Sequence, residues 1–278
     1  MIAFSQFLAI AAVIVGTWNG KWFPSGRAEH RAAPSVERAT IDAAGKMISS
    51  GLAKIDPEGT NDLILCFNEI RGPKVASRLC AAIGRTNLTV VIVSGYRRRD
   101  RFDQQQDVIM TTLPVRQSNW SLWRRPHHVF PPRGYAHAVI ELAPNREVSV
   151  YAVHLKSNYG ATTEKVRAEN RLKRGYPIEQ LIAQEKANQY VIVAGDFNAD
   201  RWRKEFAEET IFKSFDAAGY ENPLARLSEA DRTTHPNRRF GDSTLDYIMI
   251  RGLRVVANPV IEPGDPISDH HAVFVRCE

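Results

Sequence analysis

An α/β architecture of two packed sheets flanked by helices is predicted by three observations. Many short apolar runs of strand type follow one another along the 278 residues, only a few helical periodicities separate them, and no repeat, low-complexity tract or linker divides the chain. The composition agrees, because 44% hydrophobic residues with 17 glycines exclude a disordered or collagen-like chain.

The first apolar run covers residues 1–15 (MIAFSQFLAIAAVIV) and has three readings. It is a short export signal cleaved after Ala9-Ile10-Ala11, an ordered N-terminal extension, or a strand longer than usual. It lacks the basic start of a typical signal and is too short to cross a bilayer, which takes about 20 residues. Export is narrowly preferred, placing the protein outside the cytoplasm. Residues 1–11 are then signal or extension, and 12–278 a single domain, with Ala12 to Val15 opening the first core strand.

Residues 35–55 carry Ile41, Ala44, Ile48, Leu52 and Ile55 at helical spacing after Pro34-Ser35, a helix start. A buried strand follows at 62–67, a short helix at 74–83 and a fully buried strand at 88–94. Strands at 107–113, 136–142 and 147–155 come next, the last two joined by the turn Ala143-Pro144-Asn145-Arg146. A long polar helix spans much of 163–188, a strand 190–194, a helix 202–217, and strands 244–250 and 272–276. Cys66, Cys80 and Cys277 are too few for a disulfide framework or a zinc site and read as small buried hydrophobes, with one Cys66–Cys80 bridge left open.

Polar residues recur where these strands end, the places from which a rigid scaffold presents chemistry. They are Asn19 after VIVGTW, Glu69 after LILCFN, His154 in YAVHLKS, Asp196 and Asn198 in VIVAGDFNAD, Asp246 in STLDYIMI, and Asp269-His270 in ISDHH. Singly, each reads as a turn residue or a solvated side chain. Together, four carboxylates, two amides and two histidines are the groups expected around a divalent metal with oxygen ligands beside a scissile phosphate.

The ordered set TWN, NEIR, VHLKS, GDFNAD, LDYI and SDHH, spanning Trp18 to Val275, resembles the endonuclease/exonuclease/phosphatase superfamily. That resemblance implies a DNase I-like four-layer α/β sandwich, with mainly antiparallel sheets and the active site at one sheet edge, and Mg²⁺-dependent hydrolysis of phosphate esters, with Mn²⁺ or Ca²⁺ as alternative ions. It implies Glu69 as the principal metal ligand, with Asn19 beside it and Asp269 as a further ligand. Asp196 would orient or deprotonate the attacking water, and Asn198 would stabilise the phosphoryl oxygens, the two sharing one side of an extended segment. Asp269 and His270 would form a carboxylate–imidazole pair. His154 would donate toward the leaving side, with Asp246 orienting it or helping to hold metal, and His271 would be structural.

The chain departs from the family in having Asn68 where a glutamine usually precedes the metal-binding Glu. Arg71 occupies the position from which a DNase I-type arginine approaches the DNA minor groove. GDFNAD and STLDYI lack the arginine- and tryptophan-containing signatures of inositol phosphatases, and no long exposed apolar loop of sphingomyelinase type is visible.

The formal charge is +6, from 37 basic and 31 acidic residues, which suits a polyanionic partner. Two basic–aromatic loops localise it: 96–102 (YRRRDRF), and 119–135, with Trp120, Trp123, Arg124, Arg125, His127, His128, Phe130, Arg133 and Tyr135. Lys165, Arg167, Arg171, Lys173 and Arg174 add charge on the following helix, a pattern that otherwise marks a solvated face. Arg71, Tyr96, Arg97, Arg124 and Asn158 are the candidate substrate-binding residues. The reading is a monomeric Mg²⁺-dependent nuclease acting on DNA, without a stable protein partner. A phosphodiesterase or phosphatase for lipid headgroups or small esters, and a catalytically silent binding protein, stand as alternatives.

Overall fold

A computed structural model describes residues 12–27, 32–98 and 101–278. The amino-terminal segment, residues 1–11, lies outside the described residues, as do Arg99 and Asp100 of the first basic loop. The first sheet contains β1 (Val13–Phe23), β2 (Asp62–Ile70), β3 (Thr89–Val93), β6 (Gln106–Thr111), β12 (Val260–Glu262) and β13 (Ala272–Cys277). Its order is β12-β13-β1-β2-β6-β3. The second runs β11-β10-β9-β8-β7, from β7 (Val115–Leu122), β8 (Gly134–Ala143), β9 (Arg146–His154), β10 (Val191–Asp196) and β11 (Asp246–Arg251). β1 with β2 and β9 with β10 are parallel, whereas the other paired strands are antiparallel. A hairpin, β4 (Arg97–Arg98) with β5 (Arg101–Phe102), stands between β3 and β6.

The layers follow from the period-two alternation of strand side chains. In β1, Val13 and Val15 join the core shared with the second sheet, whereas Ile14 and Trp18 join the core beneath α1 (Pro34–Ile55) and α2 (Pro73–Ile83). β2 repeats this, with Ile64 and Cys66 inward and Leu63, Leu65 and Phe67 toward the helices. Both faces are covered, which is why these strands read as continuous apolar runs. Ile41, Ala44, Ile48, Leu52 and Ile55 form the buried stripe of α1. A Cβ on Gly45 would lie 2.5 Å from the Ala82 carbonyl, so glycine is what lets α1 and α2 approach.

The second sheet is covered by α3 (Glu164–Gln184) and α4 (Ile211–Ala217), through Ile178, Leu181, Phe212 and Phe215. Thr163 caps α3 by accepting from the Val166 amide at 3.3 Å. Arg174 of α3 is fully buried in a two-pronged ion pair with Glu209, and it also donates to the Lys156 carbonyl at 2.6 Å. That arginine therefore pins the segment that follows β9.

Several sequence expectations change. Residues 202–217 are not one helix but a 3-10 turn, Lys204–Phe206, and then α4, because Glu209 turns inward to meet Arg174 between them. Residues 119–122 belong to strand β7, whose side chains are exposed on both faces and so show no alternation to read. β3 is a half-exposed edge strand rather than a buried one. All three cysteines are free: Cys66 faces the second sheet while Cys80 packs with α2 on the other face of the first, so no bridge connects them. Cys80 instead donates its S–H to the Leu88 carbonyl at 3.3 Å. Among the described residues no helix is long and apolar enough to cross a membrane.

Replacing Arg174 by alanine leaves Glu209 buried without a counter-charge, at an expected cost of about 3–5 kcal/mol. Urea unfolding of the variant should show a lower midpoint with an unchanged slope, and Arg174→Met with Glu209→Leu should recover part of the loss.

Candidate active site

Strand register places the chemistry in one row. Asp196 at the end of β10 is paired with His154 of β9 on one side and Asp246 of β11 on the other. In the first sheet Asn19 is paired with Asn68 in the parallel β1–β2 ladder. Both continue the inward parity of their strands, and so they face the end of β10.

Glu69 breaks that parity. Its backbone is left-handed (φ 58°), as are those of Lys21 and Trp22 (φ 49° and 54°), and the ladder slips after Asn19 and after Phe67. Such backbone in non-glycine residues is costly and gathers at functional sites. Here it brings the Glu69 carboxylate to Asn19: Oε1 accepts from Asn19 Nδ2 at 3.3 Å and Oε2 from the Trp22 amide at 2.9 Å.

The two sheets are joined at Asp196. Asn19 Nδ2 donates to its Oδ2 at 2.9 Å, and its backbone N–H donates to Asn68 Oδ1 at 3.0 Å. Gly195 (φ 146°) makes this approach feasible, since a Cβ there would lie 1.9 Å from the Val153 carbonyl. Asn198 donates its backbone N–H to Asp196 Oδ1 and its side-chain amide to Oδ2, both at 2.8 Å. Its φ of 51° shows that a turn, not an extended alternation, brings the two together.

The histidine partners differ from those the sequence implied. His270 Nδ1 lies 2.8 Å from Asp246 Oδ2, with both residues buried, whereas the Asp269 carboxylate stands near the His270 ring without bonding it and pairs with Lys21 Nζ at 2.8 Å. The chain bends at residues 269–270 before β13 begins, and the His270 Nδ1 is taken by Asp246, so Asp269 does not orient its neighbour. Nor does Asp246 orient His154, whose Nε2 stands 3.5 Å from Asp196 Oδ2 and 3.7 Å from Glu69 Oε1. Ser268 fixes the His270 segment by donating to the Asn19 carbonyl at 2.7 Å and accepting from the His270 amide at 3.1 Å. His271 accepts from the Gly264 amide at 3.0 Å, a structural role.

Burial dominates the electrostatics. It drives His154 well below the ordinary histidine range, reinforced by Arg133, whose guanidinium donates to the carbonyls of His154 and Leu155. It pushes Asp196 up to about 7, assisted by Asp246 and opposed by His270. Burial alone would lower His270, but Asp246 first, then Asp196 and Asp269, raise it to about 10. Behind the site, Asp107 is pushed up to about 7 by burial; it accepts from Asn68 Nδ2 at 2.7 Å and from the Tyr96 hydroxyl at 2.9 Å. This relay from Asp107 through Asn68 to Asp196 is visible only once the strands are paired.

The residues fit a divalent cation. Two carboxylates from different sheets share one amide donor, and Asp246 Oδ1 is buried without a hydrogen-bond partner. Hard oxygen donors of this kind suit Mg²⁺, Mn²⁺ or Ca²⁺.

The candidate substrate contacts divide. Tyr96 is only 2% exposed and serves Asp107, so it offers no stacking face; Arg71 is engaged by both carboxylate oxygens of Glu37; Asn158 accepts from Asn170 and Arg174. Three of the five helix charges are matched as well, Arg167 by Glu164, Arg171 by Glu164 and Glu208, and Arg174 by Glu209.

Arg97 and Arg124 are exposed on two loops at the site's edge. The Arg97 hairpin lies between β3 and β6, near the level where Ile70 pairs with Gln106. The turn from 123 to 133 leaves the second sheet beside His154, because Leu122 pairs with Gly134 and Tyr135 with Val153. Within this rim Trp123 is buried and Arg133 is structural, but Trp120 is 40% exposed, edge-on to Tyr96 with ring centroids 5.8 Å apart. Its ring lies over Gly95, where a Cβ would come within 2.7 Å of it. Phe130, 54% exposed, lies 5.3 Å from the Arg125 guanidinium.

The sequence pattern of the Endonuclease/Exonuclease/phosphatase family matches residues 48–270. No curated protein sequence matches the chain significantly. Among solved structures, an endonuclease/exonuclease/phosphatase family protein from Leptotrichia buccalis superposes with a TM-score of 0.63 at 13% identity, covering 96% of this chain and 99% of its own. The 3′ phosphatase NExo from Neisseria, bound to a product DNA hairpin, gives 0.60 at 13% identity, over 95% of this chain and 99% of its own. Sphingomyelinase C from Streptomyces griseocarneus gives 0.60 at 16% identity, over 96% and 99%. These likenesses show the four-layer DNase I-like fold.

The Asp246–His270 pair has a signed pH dependence. A histidine raised from about 6.5 unfolded to about 10 folded stabilises the fold fully below pH 6.5, and that contribution disappears as pH rises through 10. In EDTA, Asp246→Asn should cost about 3–5 kcal/mol at pH 6, with the gap from wild type narrowing toward pH 10. NMR should show the His270 ring titrating far lower in the variant.

Proposed function

The chain belongs to the endonuclease/exonuclease/phosphatase family of phosphate-ester hydrolases, and from that premise we propose that it is a Mg²⁺-dependent phosphodiesterase whose substrate is nucleic acid, DNA foremost. The observation that carries this reading is the convergence of Glu69, Asn19, Asp196, Asn198, His154 and the Asp246–His270 pair at one sheet edge, bordered by an arginine- and aromatic-bearing rim.

Glu69 and Asn19 would hold the metal, with Mn²⁺ or Ca²⁺ as substitutes. When bound, such an ion neutralises phosphate charge and makes water a better nucleophile. The protein groups then have separable tasks. Asp196, held by the amides of Asn19 and Asn198, orients the attacking water in line with the scissile bond. His270, fixed through Nδ1 by Asp246, presents Nε2 to the phosphoryl oxygens. His154, kept neutral by burial, hydrogen-bonds toward the leaving oxygen. Asn198 contributes a further amide. No side chain is needed as a covalent nucleophile.

Nucleic acid is favoured over small esters by the rim. Arg97, Arg98, Arg124 and Arg125 are exposed and suit a phosphate backbone, and Trp120 offers an aromatic surface two residues before the strand end beside His154. The similar NExo structure holds DNA, which accords with this preference; the sphingomyelinase of like fold defines the lipid-headgroup alternative.

Glu69→Ala and His270→Ala should each lower hydrolysis by at least about 10²-fold with near-native circular dichroism, and EDTA should abolish it. Undiminished turnover in any of these would refute the mechanism. A panel of plasmid DNA, single-stranded DNA, RNA, sphingomyelin and a chromogenic phosphodiester should show preference for DNA. Trp120→Ala should reduce kcat/KM on DNA about tenfold and leave the chromogenic ester unchanged; preferential sphingomyelin hydrolysis would transfer the assignment to lipid. No turnover with Mg²⁺ or Mn²⁺, alongside salt-sensitive DNA binding, would indicate a binding protein.

A further inference from the structure

We propose that His235, Asp269 and His270 form a second cation site, suited to a transition ion such as Zn²⁺, whose occupation withdraws His270 from hydrolysis. The inhibitory consequence rests on the reading of His270 given above; the site itself does not.

His235 lies on none of the strands that end at the active site, and the hydrolytic reaction makes no use of it. It is nevertheless held firmly beside the site. Its backbone exchanges two hydrogen bonds with Ser243, of 2.8 and 3.1 Å. The preceding Thr234 accepts the Asp246 amide on its hydroxyl at 3.0 Å and the His271 amide on its carbonyl at 2.7 Å. These bonds tie the residue before His235 to Asp246 and to His271, the neighbour of His270. The rings of His235 and His270 stand with centroids 4.8 Å apart and planes inclined at 55°.

One ligand atom from each of His235, Asp269 and His270 lies within 4.8 Å of the others. Ligands around a tetrahedral ion with bonds near 2.1 Å sit about 3.4 Å apart, so small side-chain rotations close the set. His235 Nδ1 is buried and has no hydrogen-bond partner. A buried nitrogen left in that state carries a desolvation cost that a metal bond would relieve.

Donor chemistry separates this site from the oxygen-lined one. Two imidazoles with one carboxylate, leaving a fourth position for water, match the His₂–carboxylate sets that bind Zn²⁺; Mg²⁺ prefers oxygen throughout. The supporting contact is present too. Asp246 holds His270 through Nδ1, the carboxylate–histidine–metal arrangement that fixes a ring so that Nε2 meets the ion. Asp269 now has the Lys21 ammonium against it, on a side chain 43% exposed. A bound ion would take the place of that ammonium, whose flexible stem can turn to solvent.

Metal-stripped protein titrated with Co²⁺ in excess Mg²⁺ should develop visible absorption from one bound ion per chain, displaced by Zn²⁺. His235→Ala should weaken that binding at least about tenfold while keeping Mg²⁺-dependent turnover within about twofold of wild type, and it should remove inhibition by micromolar Zn²⁺. His235→Phe, which retains a ring against His270, serves if the alanine variant is unstable. Equal Co²⁺ and Zn²⁺ binding by wild type and variant, or no binding in excess Mg²⁺, would overturn the site; equal zinc inhibition of the two would overturn its regulatory consequence. The absorption readout needs no turnover, so a chain inactive on every substrate would defeat the hydrolase reading alone.

Discussion

Two amides hold the molecule's chemistry together. Glu69 and Asp196 come from different sheets, and packed sheets are separated by about 10 Å, so side chains must span the gap at this edge. Their carboxylates would repel one another unaided. Asn19 donates to both, and Asn68 accepts the Asp196 backbone N–H, so the sheets meet through hydrogen bonds where they could not meet through apolar packing. Everything else in the site is measured from that junction. His154 and Asp246 are the ladder partners of Asp196, and His270 is placed by Asp246. A slip of one residue in β10 would turn Asp196 toward the opposite face and away from His154 and Asp246.

Much of this was legible in the chain. Strands buried on both faces announce themselves as unbroken apolar runs, and each site residue sits where such a run stops. The amide before Glu69 was visible as a departure from the family pattern, but its contacts with Asp107 and Asp196 depend on strand pairing. What was hidden were partnerships, because they depend on which direction a side chain leaves the backbone. Asp269 is adjacent to His270 in sequence, yet Asp246, 24 residues away, is its partner. Glu69 reaches the Asn19 amide through a backbone conformation that no residue pattern announces. Tyr96 looked like a stacking residue because its loop is basic, whereas burial commits its hydroxyl to Asp107. β7 carried no signal at all, since a strand exposed on both faces has no hydrophobic period.

Net charge gave a similarly incomplete view. Arg71, Arg167, Arg171, Arg174, Arg201 and Arg226 are all in ion pairs with carboxylates of the same fold. Their charge organises the protein internally. The basic character that a polyanion would meet is narrower than the sequence total, and part of it lies on the two loops beside the sheet edge.

The three free thiols carry an implication of another kind. Burial raises Cys66, Cys80 and Cys277 above the ordinary cysteine range, and Cys66 and Cys277 are enclosed in the core. A thiol that yields little thiolate at neutral pH is a poor partner for exchange with glutathione or for peroxide. The covalent framework of this domain is therefore indifferent to redox potential. Its stability comes from packing, internal ion pairs and hydrogen bonds, and the same fold would persist in a reducing or an oxidising compartment.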